Sequence, residues 1–251
     1  MKRIAPFLVV AALLTAGSTA WAQDPLSLKL GVGLKGGLSG SLASGVAEDE
    51  VWNVGGQDLI YDPNVFPMFG MGGGVGVTFE ARIIDLVGLE SGVYLSYDNG
   101  DGFQDVNDAF GNKIVTVNQE QRTTAIHVPL LAKFVVPGAI VRPAFGLGAE
   151  FVFQQSSTFE QDPEVYTNPH TIEESTYVLG MLTAGLEFNV GVVRIPLELR
   201  LGYNLGFGSK TSDRVRTEGN NPTTTPIIYD GEYQGHFGLF TGIVYDYELF
   251  L

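Results

Sequence analysis

Few side chains in this sequence could do covalent or metal chemistry. It has three histidines, His127, His170 and His236, and no cysteine. Hydrolysis by a serine needs a histidine in hydrogen-bond reach of the hydroxyl and a third group to orient the ring. His127 is followed by Val-Pro and His236 by Phe-Gly, so neither has a serine two residues on, and His170 stands in a polar stretch. The missing cysteines remove thiolate metal sites, disulfide scaffolds and a lipid-modified N-terminal Cys. The sequence therefore predicts no catalytic, cofactor-binding or metal residues and no cofactor.

The carboxylates are the next candidates. Asp98-Asn-Gly-Asp-Gly102, with Asp105 and Asp108 beyond, has the oxygen-rich composition that calcium takes. Its spacing does not match a calcium loop, and Asn99-Gly100 and Asp101-Gly102 are also ordinary turn formers. Glu48-Asp-Glu50 and Glu173-Glu174 read the same way, as solvated loop charge.

The remaining charged residues are informative because of where they fall. In Val193 to Phe207, VRIPLELRLGYNLGF, the odd positions are apolar and the even ones charged, polar or small. Period two over this length is a β-strand. It is much longer than the usual strand of about 5 or 6 residues, and a bilayer takes roughly 9 to 11 tilted residues. Seven further segments repeat the pattern: about Leu26 to Leu38, Phe69 to Arg82, Val87 to Tyr97, Thr124 to Val136, Ile140 to Phe153, Tyr177 to Val190, and Gly235 to Leu249.

The connections alternate. Residues 83–86, 137–139 and 191–192 make tight turns, whereas 39–68, 98–123, 154–176 and 208–234 are long loops. Short turns at one end and long loops at the other describe an all-β fold, an eight-stranded antiparallel transmembrane β-barrel in an up-and-down meander. A secreted sandwich would also alternate, so the aromatic residues decide. Phe69, Tyr97, Phe151, Phe153, Tyr177, Phe207 and Phe237 fall outward at the long-loop end, and Phe79, Phe134, Phe188, Tyr245 and Tyr247 at the turn end. Two aromatic girdles around an aliphatic band are what a bilayer selects.

The inward positions carry Lys29, Lys35, Arg82, Lys133, Arg142, Arg194 and Arg200 against Glu80, Glu90, Glu150, Glu187, Glu198, Asp246 and Glu248. Eight strands leave an interior only wide enough for side chains. Lys29, Glu80, Arg82, Glu90, Lys133, Arg142, Glu150, Glu187, Arg194, Glu198, Arg200 and Asp246 are therefore candidates for ion pairs that plug the lumen. Lys133 should lie across from Arg142 if the 137–138 turn is a two-residue hairpin, with Glu80 and Glu90 nearby to offset the like charges. Arg194 should lie diagonal to Glu187, and Lys29 should approach Asp246 where the barrel closes. Inward Asn204 should tolerate polar replacement, whereas a charge at outward Leu199 should not.

Lys2-Arg3, an apolar run and Ala20-Trp21-Ala22 form a secretory signal peptide, residues 1–22, leaving 23–251 as one barrel domain. The whole chain carries a net charge of -14. Such a chain repels phosphate backbones, so nucleic acid is excluded as a partner. The four long loops hold 19 acidic and five basic residues, an acidic crown at one end.

Gly31-Val-Gly-Leu-Lys-Gly-Gly-Leu38, Val128-Pro-Leu-Leu-Ala-Lys-Phe134 and Arg142-Pro-Ala-Phe-Gly-Leu-Gly148 resemble the small outer-membrane β-barrel proteins of the PorT-like kind, related in architecture to OmpX and the OmpA membrane domain. The resemblance extends over nearly the whole mature chain and specifies architecture more than activity. It implies the outer membrane of a Gram-negative bacterium as the location, with lipid and lipopolysaccharide as surroundings and the barrel assembly machinery as a partner during insertion. Barrels of this kind usually end on an aromatic residue, whereas the pattern Gly242-x-x-Tyr245-x-Tyr247 stops four residues before Leu251. Either the assembly signal is read internally or Phe250 substitutes.

The resulting expectation is a non-enzymatic barrel with a filled lumen, acting structurally or through surface interactions in adhesion or envelope integrity. An extracellular ligand or divalent cations at the acidic loops would be its outer partners. The alternatives are a small-solute channel and, because some barrels of this size act on lipid A, a lipid A-modifying enzyme.

Overall fold

The computed structural model describes residues 27–43, 50–54, 57–61, 68–83, 85–107, 113–138, 140–162, 170–206, 215–217, 227–230 and 232–250. The predicted signal peptide, the 1–22 boundary and Phe207 lie outside them. Thirteen strands occur in order among these residues: β1 Ser27–Ala43, β2 Glu50–Val54, β3 Gln57–Tyr61, β4 Met68–Ile83, β5 Val87–Asn107, β6 Lys113–Val135, β7 Val141–Asp162, β8 His170–Glu173, β9 Thr176–Val190, β10 Val193–Asn204, β11 Val215–Thr217, β12 Ile227–Asp230 and β13 Gly235–Phe250. Eight of them close into an antiparallel barrel in the order β1-β13-β10-β9-β7-β6-β5-β4. Each is hydrogen-bonded to its neighbours in sequence, and β1 closes the ring between β4 and β13.

Alternation creates this barrel and turns it inside out relative to a soluble one. Leu34, Leu38, Val75, Leu147, Leu182, Leu199 and Ile243 project outward and are exposed, while Lys35, Glu90, Lys133, Glu187 and Arg194 are buried inside. An apolar exterior this extensive is stable only against hydrocarbon, since the exposed apolar patch of a soluble monomer is rarely more than a few hundred Å². Phe69, Tyr97, Phe151 and Phe153 ring one end of the exterior and Phe79, Phe134, Tyr245 and Tyr247 the other. Tyr177 is not in the girdle: it is buried, on the same parity as Glu187 within β9.

The turn end is tight. Val190 pairs with Val193 around Gly191, whose φ of 65° is the left-handed conformation that a two-residue hairpin needs at its first central position. Asp85 has a φ of 55° in the β4–β5 turn. The β6–β7 turn is longer than a two-residue hairpin, because Val135 pairs with Ala144 and Lys133 faces Gly146, not Arg142.

The far end differs from the sequence expectation. Residues 98–107, 113–123 and 154–162 continue β5, β6 and β7 as strands. Asp98 pairs with Thr123, Asn99 with Arg122 and Asp101 with Glu120, so the turn-forming dipeptides are overridden by a neighbouring strand. Past the membrane both faces meet polar surroundings, and the alternation that marks a half-buried strand disappears. The pairing of β6 with β7 shifts register between Thr124 and Ala125, a bulge at the rim. The other long connections also contain strands: β2 pairs with β3, and β12 joins β11 to β8.

Candidate functional site

The lumen holds the described charged groups in three successive sets. At the turn end, Arg82 binds Glu80 and Glu187, and Arg194 donates to Glu80 (2.7 Å), Glu187 (3.0 Å) and Asp246 (2.9 Å). Beside them Asp85 accepts from Lys29 at 2.9 Å and from Arg142. Lys29, expected beside Asp246, thus reaches the β4–β5 turn, because Asp246 stands opposite Gly31 and is held by Arg194. Arg194 does lie diagonal to Glu187, which faces Pro196. Burial alone would push the Asp85 carboxyl up, but the hydrogen bonds from Arg142 and Lys29 prevail and hold it below its ordinary value.

The middle set is centred on Glu90, which is 0% exposed. It accepts from Lys35 (2.7 Å), Lys133 (2.8 Å) and Arg200 (3.0 Å). Glu198 shares all three cations, at 2.8 Å from Lys133, 2.6 Å from Arg200 and 3.5 Å from Lys35. The Arg200 guanidinium also lies 4.9 Å from the Tyr94 ring centroid and 4.8 Å from that of Phe240. A Cβ on Gly76 would stand 2.7 Å from Tyr94 Cδ1, so the glycine provides the space that this ring fills. Buried charges are tolerated when each is paired and hydrogen-bonded, and this arrangement meets that condition.

The interior is less polar than the alternation suggests. Ala125, Leu131, Val152, Tyr177, Leu179 and Met181 form a buried apolar cluster along the β6, β7 and β9 walls. Asn204, expected to tolerate replacement, is fully buried and donates to Glu232 (2.9 Å) and the Tyr233 carbonyl (3.2 Å), while its Oδ1 accepts from the Gly206 amide.

The third set lies above Arg200. His127 Nε2 is 2.8 Å from Ser96 Oγ, and His127 Nδ1 is 2.8 Å from Glu150 Oε1. Ser96 and Ser39 both donate to Asp98, at 3.4 and 3.1 Å. His236 approaches from the opposite wall, its ring centroid 5.5 Å from that of His127 and its Nδ1 3.8 Å from Glu150 Oε1. Glu150, read from sequence as an ion-pair residue, reaches Arg200 only at 4.0 Å and takes His127 as its main partner. A serine hydroxyl, an imidazole and a carboxylate in line have the connectivity of an activated nucleophile. The cavity between them is only about 10 Å³, room for a single water.

Sequence spacing does not suggest this set, because its members come from β1, β5, β6, β7 and β13 and Asp98 falls in a stretch whose composition is that of a loop. The available signal was parity. Ser96 shares the inward face with Glu90 and Tyr94, and Tyr94 pairs directly with His127. The acidic segment at residues 98–102 does not converge on a cation, since Asp98 points inward and is buried while Asp101 is exposed. Of the other residues considered for cation binding, Glu48, Asp49 and Asp108 lie outside the described residues.

No known protein-family model matches this sequence, and no curated protein matches it. Among solved structures the chain resembles small outer-membrane β-barrels. The outer membrane protein OprG of Pseudomonas aeruginosa aligns over 89% of this chain and 97% of its own, at 11% identity and a TM-score of 0.48. The N-terminal β-barrel domain of OprF from the same organism aligns over 90% and 100%, at 13% identity and a TM-score of 0.34. Ail, the attachment invasion locus protein of Yersinia pestis, crystallised with the heparin analogue sucrose octasulfate, aligns over 89% and 100%, at 11% identity and a TM-score of 0.31.

Proposed function

We propose that this chain is a bacterial outer-membrane barrel of the PorT-like kind with a plugged lumen and no enzymatic activity, acting through the surface that it raises beyond the membrane in adhesion or envelope integrity. The observation that carries this reading is the cross-lumen ion network: Lys35, Lys133 and Arg200 come from β1, β6 and β10 and meet on Glu90 of β5. Groups that span the bore in this way leave water no continuous path. The mature barrel would follow an export signal at residues 1–22, insert by the barrel assembly machinery, and contact lipid and lipopolysaccharide.

The outward-acting part is the tall sheet of β5, β6 and β7. Roughly 9 to 11 residues cross a bilayer, whereas these strands have 21, 23 and 22. The excess carries Asp101, Glu120 and Glu160 around an open concavity of about 530 Å³ that also includes Phe103 and Asn118. This surface is where an extracellular ligand or cation would bind.

A second reading, lipid A modification, is favoured by the Ser96–His127–Glu150 contact alone. The cavity there, about 10 Å³, has room for a water and not for an acyl chain. Three measurements on the full chain separate the readings. Surface proteolysis of intact cells should cut the region above the membrane, planar bilayers should show at most small, infrequent openings, and lipid A mass should not change on expression. Large, stable conductance would establish the channel reading, and an altered lipid A mass the enzyme reading.

A further inference from the structure

The structure assigns a metal site to the third lumen set: we infer that His127, Glu150 and His236 bind one divalent transition-metal ion of the zinc type inside the barrel. Their donor atoms all lie within 4.8 Å of one another, and all three side chains are buried. Two imidazoles and one carboxylate form a donor set that suits zinc and its neighbours rather than calcium or magnesium, which prefer oxygen alone.

An independent observation points to a missing partner. His236 is 9% exposed, and among the described residues neither of its buried ring nitrogens has a hydrogen-bond partner. Such orphaned groups are costly, and native interiors rarely keep them. Gly202 faces His236 across β10 and β13 and offers the ring no partner, while Arg200 of the same strand reaches the cavity beside it. The small cavity beside it is lined by Ser96, His127, Glu150 and His236 together with the cationic Arg200 and the rings of Tyr94 and Phe240. It has room for an ion or a water and nothing larger.

The groups behind the histidines fit as well. A ligating histidine usually donates its other N–H to a fixed oxygen, which sets the tautomer and ring angle. Ser96 Oγ is placed to accept from His127 Nε2, leaving Nδ1 on the Glu150 side for the metal. Ser96 is itself fixed by Asp98. The ligands come from β6, β7 and β13, so a bound ion would tie opposite walls of the ring together. Arg200 lies 4.0 Å from the second Glu150 oxygen and is already engaged by Glu90 and Glu198, so its charge toward the site is partly offset.

The test uses the full chain refolded in detergent with a chelator, then refolded with Co2+ or Zn2+. One Co2+ per chain should bind with the visible absorption of a tetrahedral nitrogen and oxygen site. H236Q and E150Q should lose that absorption, and S96A should weaken binding about 10- to 100-fold. Zn2+ should raise the temperature of the heat-induced gel shift in the parent protein but not in H236Q, whose unboiled migration shows that it still folds. The E174Q variant, which alters an exposed carboxylate between β8 and β9, should bind like the parent. Unchanged Co2+ absorption in H236Q, loss of it in E174Q, or no uptake by the parent on refolding would each overturn the assignment. In the last case the space beside His236 is that of a buried water.

Discussion

Glu80 of β4 and Glu90 of β5 stand directly opposite each other, two carboxylates paired in register on the lumen face. Like charges in that position repel, yet the two are drawn into different cation sets. Glu80 is held by Arg82 and Arg194, and Glu90 by Lys35, Lys133 and Arg200. The repulsion between neighbouring strands is thus offset by attraction across the bore, which couples strand pairing to ring closure.

Replacing Glu90 with Gln should therefore be among the most damaging single changes. It leaves three buried cations short of a carboxylate, and breaking a buried pair on one side costs about 3 to 5 kcal/mol. Urea unfolding in lipid, followed by the change in gel mobility, measures this. A loss below about 1 kcal/mol would mean that the lumen rearranges or is wetter than the structure has it.

The lipid face and the lumen can be set apart by a second pair of substitutions. Leu199→Arg places a charge outward near mid-membrane and should cost about 2 to 4 kcal/mol. Asn204→Ala should cost about 1 to 3 kcal/mol, because it removes donors to Glu232 and the Tyr233 carbonyl and strands buried groups. Equal stability of the parent and Leu199→Arg proteins in lipid would contradict the outward placement of Leu199.

The wall of this barrel was legible in the sequence and its interior contacts were not. Period two marks a strand wherever one face meets lipid, and it found all eight barrel strands. It failed at residues 98–107, 113–123 and 154–162, where both faces are polar and Asn99-Gly100 resembles a turn. Parity also identifies the inward charges, but which cation meets which carboxylate depends on strand stagger and side-chain reach. Lys29 therefore goes to Asp85 rather than Asp246, and His127 and His236 meet from walls four strands apart.

Acid sensitivity should be focused on the turn end. Asp85 titrates below its ordinary value, about 3.9 for an unfolded chain, because Arg142 and Lys29 favour the charged form. A carboxylate lowered in the folded state adds stability that is complete above the unfolded value and is lost as pH falls through the folded one. Asp85→Asn keeps a residue that tolerates the 55° φ but removes the charge. Unfolding midpoints of the parent and the variant should differ at neutral pH and converge well below pH 4. A constant difference across that range would show that the pair contributes nothing.

The last prediction tests the plug directly. Glu90 and Lys133 bond each other at 2.8 Å, and each also bonds groups on other strands, Lys35 and Arg200 for the first and Glu198 for the second. Replacing only one leaves an unbalanced charge that draws its neighbours into the gap. Replacing both with Ala keeps the net charge, removes the hub from β5 and β6, and leaves Lys35 balanced against Glu198 at 3.5 Å. The emptied space adjoins Gly88 and Gly146, which face Lys133 from β5 and β7 and contribute no side chains to refill it. Water should enter, and single-channel openings in planar bilayers should become more frequent and larger than in the parent. If the double variant inserts, shows the gel shift of a folded barrel and stays as silent as the parent, the Glu90 network is not what closes the lumen, and the apolar cluster around Leu131 and Leu179 becomes the barrier.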